Sequence, residues 1–398
     1  MGRLKTLDEW LDWQESLHTQ EVDLGLERVQ KVYRKLFPNG VPFQVITVAG
    51  TNGKGSTITF IDSIYQQSDF KVGAFTSPHL IKYNERFSVN GKMASDERIC
   101  QAFDTIEVLR GNTSLTYFEF STLAALVIFA NEKVAIAVLE IGLGGRLDSV
   151  NIVDPNVSVI TNIAIDHTDY LGDTREVIGL EKAGIMRNDV SCICGDQNPP
   201  TSLQNHADNI GALLTFVNQP YLGKISLQGE HQQYNAALAI EVVNQLQPLF
   251  PIDQSQLSQG LEKANILARF QIKILNDKTV VLDVAHNEAA IKVLAETLKS
   301  EKVPTLAIFS ALKDKNIELM INAIEFCIDE WLIVPLSVNR AIRIQDLVEK
   351  FSLSSKITTC KGMESAIHQA LNTQQHQRVV IFGSFHTVVD AMKILDKY

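Results

Sequence analysis

Much that would assign this 398-residue chain to a special class is missing from it. Its five cysteines, Cys100, Cys192, Cys194, Cys327 and Cys360, are odd in number and include no C-x2-C pair. That excludes a disulfide framework or a zinc ribbon and leaves reduced thiols, as in a cytoplasmic protein. No apolar run approaches the roughly 18 residues of a membrane span, and the opening MGRLKTLDEWLDWQESLHTQ is charged throughout, where a signal peptide needs an apolar centre. The chain is expected to be neither exported nor membrane-bound. MGRLKT does fit the pattern M-G-x-x-x-[ST] for myristoylation, but so few constrained positions match often by chance. Basic residues are outnumbered, 36 against 46 acidic, for a net charge of -10. A general binder of nucleic-acid backbones is therefore excluded, and any phosphate must be held locally. There is no Gly/Ser-rich linker, and no internal repeat at a period of about 20 to 50 residues.

What is present is an alternation of apolar, β-branched runs with longer amphipathic stretches, the rhythm of βαβ units around a mainly parallel sheet. Strands are expected at 43–50 (FQVITVAG), 71–77 (KVGAFTS), 134–142 (VAIAVLEIG) and 157–166 (VSVITNIAID), with helices at STITFIDSIYQQS and at 121–133. Residues 190–230 show no clear pattern. HQQYNAALAIEVVNQL reads as a helix, and a second series of strands follows at 279–286, 305–312, 330–336 and 378–386. The length exceeds what one core usually serves. Two α/β domains are expected, 1–268 and 269–398, with the break near ILARFQIKI.

The first strand runs directly into Gly50-Thr51-Asn52-Gly53-Lys54-Gly55-Ser56 and then a helix. A Gly-rich turn at a helix N-terminus is an anion site by construction, because backbone N–H groups and the positive end of the helix dipole face one point. Lys54 adds a charge for the β- and γ-phosphates, and Ser56 or Thr57 a hydroxyl near a metal. A mere tight turn has no need of a lysine beside three glycines. Ligands of open parallel sheets sit beyond the carboxyl ends of the strands. There the second strand ends in Ser77 and His79, the third in Glu140, and the fourth in Asp166 and His167. These oxygens and nitrogens suit Mg²⁺. Each has a plain alternative: Ser77 before Pro78 as a turn, Glu140 paired with Arg146, a structural histidine.

The motifs VAGTNGKGS, FTSPHL, LTYFEF, LEIGLGGRLDSVNIV, AIDHTDYLG, EKAGI, ARFQ, LDVAHN and GSFHT, in order from about residue 21 to 390, resemble those of bacterial enzymes that are both dihydrofolate synthase and folylpolyglutamate synthase. These belong to the Mur ligase superfamily. The resemblance implies an N-terminal P-loop-like ATPase domain that also binds a pterin, and a smaller C-terminal Rossmann-like domain. It implies ATP contacts at Thr51, Asn52, Gly53, Lys54, Gly55, Ser56, Asn235, Arg269 and Asp283. Mg²⁺, in two ions, would be held by Ser77, Glu140, His167 and a carbamylated Lys182. Composition alone reads Lys182 as a surface helix residue, and His286, which the resemblance places near the phosphates as a catalytic group, as a strand end. The pterin substrate would lie against Asp23 and Leu24, against Thr116, Tyr117, Phe118 and Glu119, and against Leu147, Asp148 and Ser149.

The implied reaction passes the γ-phosphoryl of ATP to a carboxylate, giving an acyl phosphate that the amine of L-glutamate attacks. Lys54, Lys182 and His286 are the expected catalytic residues. Dihydropteroate would give dihydrofolate, and reduced folates would gain γ-glutamyl units. GSFHT (383–387) is a candidate for the glutamate pocket, and a monomer is the default assembly. TYFE, and GKGS in place of GKTT, argue against a peptidoglycan-precursor ligase. A P-loop switch that hydrolyses nucleotide only to change shape is the competing reading from another class. Glu288 stands where many relatives have proline, at a helix start that tolerates either.

Overall fold

The computed structural model describes residues 6–20, 22–352 and 355–397. Gly2 of the myristoylation pattern lies outside them. The chain divides into two compact units, Met1–Ser226 with Gln232–Ala264, and Leu227–His231 with Asn265–Tyr398.

The first unit is built on eight strands: β1 Gln44–Ala49, β2 Val72–Phe75, β3 Phe87–Val89, β4 Lys92–Met93, β5 Ile136–Glu140, β6 Val157–Ile160, β7 Ser191–Cys194 and β8 Leu213–Phe216. They lie in the order β4-β3-β2-β5-β1-β6-β7-β8. All pairs are parallel except β2–β3 and β3–β4. The central strands β2, β5 and β6 are buried along their whole length, which is why they read as unbroken apolar runs. β8, at the edge, alternates in exposure instead.

Helices of this unit are α1 Leu7–Leu17, α2 Glu27–Leu36, α3 Lys54–Tyr65, α4 Asp96–Arg110, α5 Tyr117–Asn131, α6 Thr168–Leu171, α7 Arg175–Ala183, α8 Thr201–Ile210, α9 Glu230–Leu246 and α10 Gln254–Lys263. α5 is buried on every side from Glu119 to Phe129. It lies between the sheet and α1, α2 and α4, so its sequence carries no polar stripe.

The second unit has strands β9 Gln271–Leu275, β10 Lys278–Leu282, β11 Thr305–Phe309, β12 Glu330–Ile333, β13 Ile357–Thr359 and β14 Arg378–Phe382, in the order β13-β12-β11-β14-β10-β9. Only β9 runs antiparallel. Helices α11 Glu288–Lys299, α12 Ile317–Asn322, α13 Ile344–Val348, α14 Met363–Asn372 and α15 Phe385–Leu395 complete it. Its core is centred on Phe309, Trp331 and Phe382.

The expected α/β fold class holds, with local corrections to its elements. The patternless stretch 190–230 contains β7, α8 and β8, whose strands are only four residues long. The helix expected from residue 121 starts at Tyr117, because Thr116 and Glu119 form a capping box. The strand expected to reach residue 166 stops at Ile160, and the chain beyond it turns to brace the phosphate loop. Among the described residues no helix is long and apolar enough to cross a membrane.

Candidate functional site

The register places the site. Val48 of β1 pairs with Glu140 of β5, so the last residue of β5 stands beside the start of the glycine-rich loop. Gly50 has φ 149°, and a Cβ there would lie 1.8 Å from Thr161 Oγ1. Gly53 has φ 84°, and its Cβ would meet Asn235 Oδ1 at 2.7 Å. Both positions need glycine, one for close approach and one for a left-handed backbone as well. Gly53 caps α3 and supplies no side chain to do so, which leaves the first-turn amides of Lys54, Gly55 and Ser56 directed at whatever sits before the helix.

The loop is held in shape from β6. Thr51 N–H donates to Asn162 O at 3.0 Å, Asn52 N–H to Asn162 Oδ1 at 2.8 Å, and Thr161 Oγ1 to Asn52 O at 2.6 Å. The Thr51 hydroxyl donates to Ala164 O at 3.1 Å and accepts from Ala164 N–H at 3.0 Å. Thr51 is thus committed to the shape of the loop by both its groups. On the other side Asn235, 7% exposed, has its amide oriented by Gln232 Oε1 at 2.9 Å and faces Thr57 Oγ1 at 3.5 Å. Ser56 and Thr57 are buried.

Lys54 Nζ curls back over the loop, donating to Gly50 O at 3.1 Å and Thr51 O at 3.4 Å, and lies 3.9 Å from Glu140 Oε1. Glu140 is 5% exposed, and its Oε2 accepts the Ser77 N–H at 3.0 Å. The alternative partner, Arg146, is engaged with Glu181 at 2.7 Å. Lys182 lies in α7 and is 3% exposed, which overturns its reading as a surface helix residue. Burial, and then the neighbouring Lys54 cation, push its pKa down to about 7, against an opposing pull from Asp166. Asp166, expected at a strand end among the groups that suit Mg²⁺, is therefore part of the site. His167 follows it in the left-handed region, exposed at the start of α6, with Nε2 4.0 Å from Asp166 Oδ2.

Among the described residues no three His, Cys, Asp or Glu side chains gather into a metal-holding group. The donors that do converge are one carboxylate, Glu140, and one serine, Ser77, joined through a backbone N–H beside the phosphate loop. Mg²⁺ accepts such a set, because it keeps waters and completes its shell with phosphate oxygens.

The stretches expected to hold a pterin also meet. Arg28 joins them, with Nη1 2.6 Å from Asp23 Oδ2 and Nη2 3.2 Å from Glu119 Oε1. His18 Nε2 lies 3.1 Å from the same Asp23 oxygen. Neither Arg28 nor His18 was expected at the site. Glu119 accepts Thr116 N–H at 2.7 Å; burial raises its pKa against the opposing effects of Thr116 and Arg28. Leu24, Tyr117, Phe118 and Leu147 are half-buried and offer surface. Asp148 and Ser149 do not: both are buried, Asp148 accepting Leu143 N–H and Val150 N–H at 2.9 Å, Ser149 bonded to Thr122 at 2.6 Å. Burial pushes the Asp148 pKa up to about 6, despite three backbone donors and Lys54.

In the second unit Asp283 accepts the N–H groups of Phe270 and Ala285 at 2.8 Å. Burial raises its pKa, opposed chiefly by Arg269. The Arg269 guanidinium lies 5.8 Å from the Phe385 ring centroid, and the His286 ring 5.6 Å from it. Two expected residues, Arg269 and His286, therefore gather around Phe385. His286 Nδ1 is 2.9 Å from Val284 O. In GSFHT, Ser384 and Thr387 are buried and bonded to each other at 2.7 Å, with Thr387 Oγ1 donating to Ser310 O. Those hydroxyls lock the start of α15.

Residues 48–192 match the model of the Mur ligase middle domain and residues 268–385 that of the Mur ligase glutamate ligase domain. The Escherichia coli dihydrofolate synthase/folylpolyglutamate synthase is 35% identical, over 98% of this chain and 96% of its own. A structure of E. coli FolC in complex with DHPP and ADP superimposes with a TM-score of 0.92 at 35% identity, covering 99% of both chains. Another, of a bifunctional folylpolyglutamate synthase/dihydrofolate synthase with Mn, AMPPNP and L-glutamate bound, gives 0.89 at 36% identity, again over 99% of both.

Proposed function

Because the chain belongs to the Mur ligase family, among its dihydrofolate synthases/folylpolyglutamate synthases, we infer that it is an ATP-dependent ligase adding L-glutamate to dihydropteroate and to reduced folates. The observation that carries the reading is Lys54 held over the glycine-rich loop within 3.9 Å of Glu140, itself bonded to Ser77. Phosphate grip and metal-type donors thus meet at one point.

A carboxylate resists an attacking amine by its charge and its resonance. Phosphorylation removes both obstacles: the γ-phosphoryl of ATP passes to the acceptor carboxylate, the glutamate amine displaces phosphate from the acyl phosphate, and an amide results. The amides opening α3 and the Lys54 ammonium stabilise charge on the transferred group. Ser77, Glu140 and His167 are the residues that would hold Mg²⁺, which when bound neutralises phosphate charge. Asn235 steadies the nucleotide beside Gly53, and Arg269, Asp283 and His286 are, by resemblance, the nucleotide-binding residues of the second unit. Tyr117, Phe118, Leu24 and Leu147 line the pterin pocket. Asp23, Thr116, Glu119, Asp148 and Ser149 keep it in shape.

Lys182 carries a carbamate in this reading. Its depressed pKa leaves neutral amine near pH 7 to attack CO₂, forming a C–N bond and releasing one proton. Repulsion from Lys54 then becomes attraction, and the carbamate oxygens would be available to hold a second Mg²⁺. The enzyme is taken to be a monomer of the cytoplasm, in keeping with five free cysteines. The test is incubation with ATP, Mg²⁺ and L-glutamate plus either dihydropteroate or tetrahydrofolate, followed by mass. Products heavier by one glutamyl unit from both acceptors are expected; ATP hydrolysis without such products overturns the reading.

A further inference from the structure

Arg86 is a buried cation that the mechanism leaves unused. It ends the short turn Tyr83–Arg86 after the Ser77 loop and is 8% exposed. Its guanidinium lies 5.5 Å from the ring centroids of both Tyr83 and Tyr117, and Nε donates to His79 Nδ1 at 2.9 Å. Among the described residues no carboxylate pairs with it and neither Nη group donates to a protein acceptor. The adjacent Glu85 is spent elsewhere, its oxygens accepting the N–H groups of Leu80, Ile81 and Lys82. Two tyrosine faces and one imidazole do not offset the desolvation of a guanidinium as an anion does. The arrangement fits an anion that arrives with a ligand.

Its position says which ligand. The Arg86 carbonyl accepts the N–H of Thr76 and its guanidinium Nε donates to His79, so Arg86 borders the loop whose Ser77 N–H meets Glu140. Tyr117, which covers it, is followed by Phe118, against whose ring a Cβ at Gly142 would lie at 2.6 Å. Arg86 thus flanks the carboxylate end of the acceptor pocket. The two acceptors differ there. Dihydropteroate ends in one carboxylate, the one activated, whereas a reduced folate presents its γ-carboxylate for activation and carries an α-carboxylate that stays charged. A site serving both must accommodate that second anion.

We propose that Arg86 binds the α-carboxylate of the terminal glutamate of a reduced folate, and so sets the balance between the two acceptors. This rests on the activity proposed above. The test compares kcat/KM for tetrahydrofolate and for dihydropteroate in the full-length protein, in wild type, Arg86→Gln and Arg86→Lys. The ratio, tetrahydrofolate over dihydropteroate, is expected to fall about tenfold to hundredfold in Arg86→Gln through KM for tetrahydrofolate, and to recover in part in Arg86→Lys. An unchanged ratio, or a common fall in kcat for both acceptors, overturns the proposal. Calorimetry on wild-type protein decides it independently of any variant's folding. A tetrahydrofolate whose α-carboxylate is a primary amide is expected to bind at least about tenfold more weakly than tetrahydrofolate itself, and equal affinity overturns the proposal. Failure of the wild type to extend either acceptor would instead count against the activity, leaving this binding comparison to stand.

Discussion

Lys54 Nζ lies 3.9 Å from Glu140 Oε1 and 3.1 Å from the carbonyl of Gly50. One ammonium thus spans the phosphate loop and the buried carboxylate beside it. In the proposed mechanism Lys54→Ala removes the charge that faces the γ-phosphate. ADP formation is expected to fall by at least about 10²–10³-fold, while a fluorescent pterin ligand still binds, since its pocket is built by other elements. Full ATP turnover in the variant would remove Lys54 from the mechanism.

Lys182 is 3% exposed and lies in the field of Lys54 and Asp166, and the carbamate proposed for it would have a spectroscopic signature. Protein equilibrated with ¹³C-labelled bicarbonate is expected to show one carbamate carbon resonance, absent in Lys182→Ala. Activity of that variant is expected to rise on adding a short carboxylic acid that can occupy the vacated space. A spectrum identical in wild type and variant would leave Lys182 an amine and reduce the metal ligands to Ser77, Glu140 and His167.

The phosphate loop was legible because everything it needs is contiguous: a mostly apolar strand, three glycines, a lysine and a helix. Lys182 was not, because its burial is imposed from a distance. The loop around Gly145 lies on the end of α7 so closely that a Cβ there would sit 2.6 Å from Glu181 O, and Arg146 N–H donates to that same oxygen at 2.8 Å. No pattern within EKAGI reveals a cover that comes from LGGR. Asp23 and Glu119 were each assigned to the pterin by resemblance, yet their junction through Arg28 joins positions far apart in the chain. The hairpin β9–β10 carries its signal in two adjacent residues. Asn276 and Asp277 both have positive φ, at 49° and 59°, the residue types and signs of a two-residue primed turn between alternating strands.

Asp62 supplies a prediction for pH. It sits in α3 with Oδ2 accepting from Gln66 Nε2 at 2.8 Å and Oδ1 enclosed without a partner. Burial pushes its pKa up to about 7. The native state then holds a proton that the unfolded chain has already lost above its ordinary value near 4, so stability is fullest below that value and declines as pH rises towards 7. Asp62→Asn is expected to stabilise the protein near neutral pH by roughly 1–3 kcal/mol and to flatten this decline. Chemical denaturation at pH 5 and pH 8 measures it. A variant with the same slope as wild type would show that the carboxylate is hydrated.

Gln14 is the other group at odds with its surroundings. It is 1% exposed in α1, one turn from Trp10 and from His18, and neither its Oε1 nor its Nε2 has a partner. A buried amide with nothing to bond costs more than it returns, whereas leucine has nearly the same volume and no polar atoms to satisfy. Gln14→Leu is therefore expected to stabilise by about 1–3 kcal/mol, raising Tm by ~2–4 °C for each kcal/mol. Activity with both acceptors should persist, because Gln14 touches neither the Asp23–Arg28–Glu119 junction nor the phosphate loop through any hydrogen bond. An unchanged or lower Tm would mean that ordered water already satisfies the amide.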